Sequence, residues 1–209
     1  MRPIALAVLL SFTACAGAPA TPAKVADASP TLEAVEFASV DATQKGGRVF
    51  DTQYSEKPKD AEVLKKEFKN GVVSYTCMVG YSYGSAWAGV GLNVNMTAMA
   101  SPIDARRFKS ITIALASQAT RTLRVRIIGA DDKVRMNGCY PVFVQGVTDK
   151  LAQYTIPLTS FASESYCGNL GQNQAVPKTM GQLVGFEIAD TTIHNEPSKF
   201  SVGTIRLNL

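Results

Sequence analysis

The sequence predicts an all-β domain, a β-sandwich or jelly roll of about eight or nine antiparallel strands. Apolar and polar residues alternate with a period of two over most of the chain, turn-forming clusters interrupt the alternation at short intervals, and sustained helical periodicity is nearly absent. The first run is Val35 to Val40. Between Asp60 and Phe68, Ala61, Val63, Leu64 and Phe68 stand among charged residues, a spacing that fits a short helix or a solvated loop. Strand-like runs follow at Gly71 to Val79 and Ala88 to Asn95. Ile111, Ile113 and Leu115 then interleave with Thr112, Ala114 and Ala116, and Leu123, Val125 and Ile127 interleave with Arg124 and Arg126. Gln153 to Leu158, Phe186 and Ile188 flanking Glu187, and Phe200 to Leu209 complete the set. Clusters such as Gly129-Ala130-Asp131-Asp132 and Asn169-Leu170-Gly171-Gln172-Asn173 mark the turns.

Composition narrows the function. The 209 residues carry 21 Lys and Arg against 17 Asp and Glu, a net charge of +4, with the two signs mixed along the chain. No clustered basic stripe of the kind nucleic-acid affinity requires is present, so nucleic acid is not an expected partner. After the first dozen residues, no apolar stretch approaches the roughly 20 residues that span a bilayer as a helix.

The N-terminus reads as an export signal: Arg2 precedes the apolar run Ile4 to Leu10, and small residues follow. Leu10-Ser11-Phe12-Thr13-Ala14-Cys15 resembles a bacterial lipobox, with Phe12 in place of the usual aliphatic residue. That resemblance implies a signal peptide over residues 1–14 and lipidation of Cys15. Ala16 after the cysteine, by the same resemblance, implies sorting to the outer membrane or cell surface. Ala14-Cys15-Ala16 and Ala18-Pro19-Ala20 also satisfy the small-x-small rule of ordinary signal cleavage, which would leave the protein periplasmic or secreted. Residues 15–31 contain three of the ten prolines and little hydrophobic bulk. Such a segment buries too little surface to offset chain entropy and reads as a flexible tether, leaving residues 32–209 as the folded domain.

Export sets an oxidising context for the cysteines. Cys77 lies in an apolar run and reads as a buried thiol. Cys139 and Cys167 lie in loop-like segments, Asn137-Gly138-Cys139-Tyr140 and Tyr166-Cys167-Gly168-Asn169, and are expected to form a disulfide. Zinc is the rival for these cysteines. It is disfavoured because no C-x-x-C pair exists and His194, which reads as a loop residue, is the single histidine.

The order of motifs resembles a known family. Gly84-Ser85-Ala86-Trp87-Ala88-Gly89-Val90-Gly91-Leu92 looks like the aromatic, small and glycine strand of galactose-binding-like jelly rolls. Phe108 to Ile113, Leu123 to Ile128, Tyr154-Thr155-Ile156-Pro157-Leu158-Thr159-Ser160-Phe161 and the closing Phe200 to Leu207 follow in that family's order. Together, over approximately residues 35 to 209, they resemble family 11 carbohydrate-binding modules and their relatives. The resemblance implies a non-catalytic domain that binds a polysaccharide or oligosaccharide, with β-glucan as the ligand class. Where some of these modules hold a structural calcium, this chain has Gly203-Thr204 in place of an acidic residue, and the six to eight oxygens that calcium takes cannot be assembled. Structural calcium is therefore in doubt, and no other cofactor is expected.

The chemistry of sugar binding selects candidate residues, because pyranose rings need flat aromatic platforms and their hydroxyls need forked or planar hydrogen-bonding groups. Arg124 and Arg126 project from one face of one strand, and their guanidinium forks suit adjacent hydroxyls or a uronate carboxylate. Salt-bridged surface arginines would look the same. Glu187, with Gln153 and Thr155, faces outward and would complete a polar cleft if those strands share a sheet; ordinary strand exterior is the other reading. Tyr83 and Tyr140 are the favoured platforms, and Trp87 is either a platform or a packing residue. Tyr75 and Tyr154 share parity with apolar neighbours and read as core.

Nothing in the sequence points to catalysis. It has no Gly-x-Ser-x-Gly elbow, no phosphate loop and no His-Glu-x-x-His helix. A glycosidase carboxylate pair, Glu187 with Asp190 or Asp131, is left formally open because sequence spacing does not reveal spatial separation. Two functions follow: a carbohydrate-binding lipoprotein attached to the membrane through its lipid alone, or a structural or adhesion sandwich that recruits an envelope protein through an apolar patch or edge strand and has no glycan site.

Overall fold

The computed structural model describes residues 35–37, 48–56, 60–80, 88–95, 102–118, 122–172 and 175–209. The signal segment, Cys15 and the tether lie outside the described residues, as do Tyr83 and Trp87. Eleven strands occur among the described residues, arranged as two antiparallel sheets face to face. The first sheet has the order β3 (Ala61–Lys69), β4 (Val72–Val79), β11 (His194–Asn208), β6 (Ser110–Ser117) and β9 (Ala152–Pro157), and β1 (Val35–Phe37) pairs with the last part of β11. The second has the order β2 (Arg48–Ser55), β5 (Ala88–Asn95), β10 (Leu183–Asp190), β7 (Thr122–Gly129) and β8 (Val142–Gly146). Consecutive strands repeatedly fall in opposite sheets, so the fold is a β-sandwich jelly roll.

The period-two pattern becomes the core directly. Val73, Tyr75, Cys77 and Val79 on β4, Ile111, Ile113 and Leu115 on β6, and Leu123, Val125 and Ile127 on β7 are all fully buried between the sheets. Tyr75 and Phe200 are register partners, and their rings stack at 5.2 Å between centroids. On β11 the inward residues change parity, from Phe200 and Val202 to Ile205 and Leu207, because the pairing with β6 shifts between Val202 and Ile205. Gly203 and Thr204 are the residues at this irregularity. A Cβ on Gly203 would lie 3.0 Å from that of Ala114, which accounts for a residue without a side chain at this point of the closing strand.

Two elements differ from the sequence reading. Residues 61–69 form strand β3, not a helix or loop. Its apolar residues look helical in spacing because the pairing with β4 shifts between Val63 and Lys65, which puts Leu64 out of strict alternation. Asn70 (φ 51°) and Gly71 (φ 74°) form the two-residue connection to β4, where both central residues occupy the left-handed region that favours Asn-Gly. His194 begins β11 instead of lying in a loop. Strands β2 and β8 are additional to the runs read from sequence.

Strand β3 lies at a sheet edge, and the open side of the sandwich there is sealed by polar groups. Asp51 of β2 accepts hydrogen bonds from Tyr75 Oη at 2.6 Å and Lys66 Nζ at 2.7 Å. Burial raises the Asp51 pKa, but the hydrogen bonds from Lys66 and Tyr75 and the Lys66 charge outweigh it and hold the carboxyl below its usual value. Burial, with the Asp51 contact behind it, pushes the Tyr75 phenol up. Burial, then the charge of Asp190, pushes the Cys77 thiol up to about 12, so alone it stays protonated.

Outside the second sheet sits a smaller apolar cluster of Ile128, Val134, Cys139, Tyr140, Cys167 and Val184. The short helix α1 (Asp132–Met136) is capped by Asp131, whose side chain accepts from Val134 N at 3.2 Å. The expected disulfide is present: Cys139 and Cys167, with Cα atoms 5.6 Å apart, tie the segment after α1 to the turn before α2 (Gly168–Gln172). Cys77 is free and buried.

Replacing both Cys139 and Cys167 by Ser should lower unfolding stability by about 3 to 4 kcal/mol on the chain-entropy estimate, read from urea denaturation. For Asp51 the folded carboxyl titrates below the unfolded value near 3.9, so its stabilising effect is complete above that pH and is lost as pH falls through the folded value. Asp51→Asn should therefore lower stability at pH 7 and flatten the acid limb of the stability curve as pH falls below about 4; an unaltered limb would assign acid sensitivity elsewhere.

Candidate functional site

The outward face of the second sheet carries the polar cluster. Register aligns Phe50, Asn93, Glu187, Arg126 and Val142 in one row across β2, β5, β10, β7 and β8. The adjacent row is Thr52, Gly91, Ala189, Arg124 and Val144. Residues opposite each other across a ladder share a face, so these two rows form one surface. Strand alternation explains the arrangement: Val125, Ile127, Phe186 and Ile188 point into the core, which turns Arg124, Arg126 and Glu187 outward.

At the centre, one Glu187 oxygen, Oε1, accepts from Arg126 Nη1 at 2.9 Å and from Arg124 Nη2 at 3.2 Å. Arg124 Nη2 also donates to Tyr54 Oη, and the guanidinium lies 5.2 Å from the centroid of the Tyr54 ring. The cluster is sunk into the sheet. Side-chain exposure is 14% for Arg124, 9% for Arg126 and 8% for Glu187. The Nε atoms of both arginines are buried and lack a hydrogen-bond partner. Two guanidiniums against one carboxylate leave an excess positive charge, and the orphaned N–H groups leave unsatisfied donor capacity beside it.

Small residues make this packing possible. A Cβ on Gly89, the register partner of Tyr54, would lie 2.5 Å from the Tyr54 hydroxyl oxygen, and one on Gly91 would lie 3.1 Å from Ala189 Cβ. Tyr54 therefore lies across a floor of Gly and Ala and reaches Arg124 two strands beyond β5. Burial pushes its phenol up to about 12, against the opposing pull of the Arg124 charge. Next to it, Asn93 Nδ2 donates to Thr52 Oγ1. One end is walled by the disulfide-tied segment: Gly138 (φ 67°) packs beside Arg126, and Tyr166 Oη donates to the Gly138 carbonyl at 3.2 Å.

The sequence candidates divide accordingly. Arg124, Arg126 and Glu187 come together as one ion-paired group instead of standing as open forks. Tyr140 is fully buried in the smaller cluster, donates to the Asp131 carbonyl at 2.8 Å and has no ring face to offer a ligand; its loop-like segment beside the disulfide suggested exposure, but it packs in the same buried cluster as Cys139 and Cys167. Gln153 and Thr155 belong to β9 in the other sheet, where Thr155 pairs with Thr112, so they do not join this surface. Nor does Glu187 share a site with Asp190, which lies at the opposite parity of β10 beside His194. Asp131 serves as a helix cap. Three aromatic residues that sequence reading missed line this surface: Phe50, 46% exposed on the sheet face; Tyr54 beside Arg124; and Tyr166, 68% exposed on the wall. The expected platforms Tyr83 and Trp87 lie outside the described residues.

No protein-family model and no curated protein matches the sequence. The fold does have solved counterparts. A family 11 carbohydrate-binding module of a cellulosomal cellulase of Clostridium thermocellum superposes with a TM-score of 0.53 at 16% identity, covering 76% of this chain and 86% of the module. The Clostridium thermocellum family 11 module in complex with a beta-1,3-1,4-mixed-linked tetrasaccharide gives 0.53 at 16% identity, covering 78% and 95%. A solution structure of a family 11 module gives 0.51 at 14% identity. At these identities the likeness establishes a shared jelly-roll fold.

Proposed function

We propose that the outward face of the second sheet binds a saccharide chain, without catalysis. The observation that carries this is the exposed ring of Phe50 on the same strand face as Tyr54, which packs against Arg124, one of two guanidiniums that share the single Glu187 carboxylate. Phe50 and Tyr54 are four residues apart on β2, about 13 Å at the usual strand rise, which is the length of a short oligosaccharide. Ring faces offer apolar contact to pyranose C–H surfaces, while Arg124, Thr52 and Asn93 offer polar contacts between them. Arg126 and Glu187, nearly closed to solvent, hold Arg124 in place.

Neutral β-glucan is the ligand class we favour, because a module sharing this fold was solved with a beta-1,3-1,4-mixed-linked tetrasaccharide. The export signal and the lipobox-like Leu10 to Cys15 support a bacterial lipoprotein held at the outer membrane or cell surface, or a periplasmic or secreted protein if ordinary cleavage occurs. Either placement gives the domain access to envelope or external polysaccharide. An adhesion sandwich that recruits an envelope protein is the competing reading, supported by Phe50 and Val144, exposed apolar residues on the two opposite edge strands of this sheet.

Affinity electrophoresis against β-glucans, xylan, mannan and pectin tests the proposal. Retardation by at least one glycan is expected, with a Kd in the micromolar to millimolar range, about −4 to −8 kcal/mol; migration unchanged on every gel would turn the assignment to the adhesion sandwich. Phe50→Ala should weaken binding severalfold with an unchanged Tm, since its ring is half-exposed. Glu187→Ala, by contrast, leaves two guanidiniums without their carboxylate and should cost about 3 kcal/mol of stability in denaturant titration.

A further inference from the structure

A second cluster lies between the sheets at the end of the sandwich where β10 passes into β11. Cys77 of β4, Asp190 at the end of β10 and His194 at the start of β11 bring a sulfur, a carboxylate oxygen and an imidazole nitrogen within 4.8 Å of one another. Cys77 and Asp190 are fully buried, and the His194 side chain is 10% exposed.

The hydrogen bonds around His194 define what this cluster lacks. His194 Nδ1 lies 2.7 Å from the Glu196 carbonyl oxygen, which can only accept, so Nδ1 carries a proton. Nε2 then turns its lone pair in the neutral ring toward Asp190 Oδ2 at 3.1 Å. A lone pair facing a buried carboxylate oxygen requires a positive centre between them, either a second ring proton or a cation. An Nδ1–H bound to a backbone carbonyl, with Nε2 free to coordinate, is the usual support of a metal-binding histidine. The other Asp190 oxygen, Oδ1, accepts from Thr192 N at 3.0 Å, which fixes the carboxylate. At the same end of the first sheet, Asp60 is fully buried and neither of its carboxylate oxygens has a hydrogen-bond partner. Its carbonyl accepts from Gly80 N at 2.7 Å, and the next residue, Ala61, pairs with Val79, which on its other side pairs with His194. The buried Asp60 carboxylate adds to the demand for positive charge at this end.

We propose that Cys77 Sγ, Asp190 and His194 Nε2 form a binding site for a borderline-soft divalent cation of the zinc class. Thiolate, imidazole and carboxylate are the donors such an ion takes, and three protein ligands leave one position of a tetrahedron for water. The calcium-type hard cations are disfavoured by sulfur and nitrogen donors. Binding converts the Cys77 thiol to thiolate, forming the metal–sulfur bond and releasing one proton to solvent; no electron is transferred. This site is separate from the saccharide face, since Asp190 and Glu187 point to opposite sides of β10.

Cobalt(II) titration of the untagged, chelator-treated chain tests the assignment, with zinc and calcium followed by thermal shift. A sulfur-to-cobalt charge-transfer band at one equivalent, displaced by zinc, and stabilisation by zinc but not calcium are expected. Cys77→Ser should abolish the band, and His194→Ala, at a partly exposed position, should weaken cobalt binding more than tenfold. Absence of the band in the parent chain overturns the proposal, as does zinc stabilisation that both variants retain. Since glycan retardation is measured independently on metal-free protein, failure here leaves the saccharide reading standing.

Discussion

The shared carboxylate of Glu187 is the interaction around which the outer face of the second sheet is organised. β10 is buried along its whole length, so a charged residue on its outward side must be compensated by neighbours in the same sheet. Arg126, directly opposite on β7, and Arg124, two positions further along the same face, supply that compensation. Once the two guanidiniums are drawn inward to the carboxylate, Tyr54 closes over Arg124 and the Gly138 segment closes over Arg126. The balance is asymmetric: removing one charge leaves others stranded in a site of low polarisability, and a group of two positive charges and one negative charge retains an attraction for electron-rich ligands.

That closure demands an absence of bulk nearby. Gly89, Gly91 and Ala189 form a depression in the sheet that lets a tyrosine from the edge strand cross toward β7. The run Ala88-Gly89-Val90-Gly91-Leu92 thus has two roles at alternating positions, one contributing Val90 to the core and the other giving up side-chain volume beneath Tyr54. The disulfide acts on the same surface from the other end. By tying the segment after α1 to the turn that carries Tyr166, it holds an exposed ring beside a sheet face whose own aromatics come from β2.

The interior corner formed by Cys77, Asp190 and His194 obeys different rules from the outer face. There the sheets pack on each other, and each buried polar group must find a partner within the protein, from a bound ion or from an ordered water. The disulfide takes up Cys139 and Cys167, while burial shields the Cys77 thiol from disulfide exchange. Its neighbours in space come from strands separated by more than a hundred residues in sequence, which is why no local spacing signals the cluster.

Much of the architecture was legible in the chain itself. Period-two alternation at Val72–Val79, Ser110–Ser117 and Thr122–Gly129 assigned each residue to the inner or outer face, because a strand's pleat is local, and the same parity identified Arg124, Arg126 and Glu187 as outward. Turn-like surroundings marked Cys139 and Cys167 for pairing. Asn70-Gly71 carried an unused hairpin signal that distinguishes strand β3 from a helix, and Asp51, an inward polar residue, broke the alternation that would have revealed β2. What only the tertiary structure decided is which strands became neighbours: that β9 left the sheet of Arg124, that β2 brought Phe50 and Tyr54 to it, and that β4, β10 and β11 met at one corner. Pleat parity follows from the geometry of adjacent residues, whereas strand order is chosen by the joint packing of both sheets around one core, a sum over distant contacts that no single segment encodes.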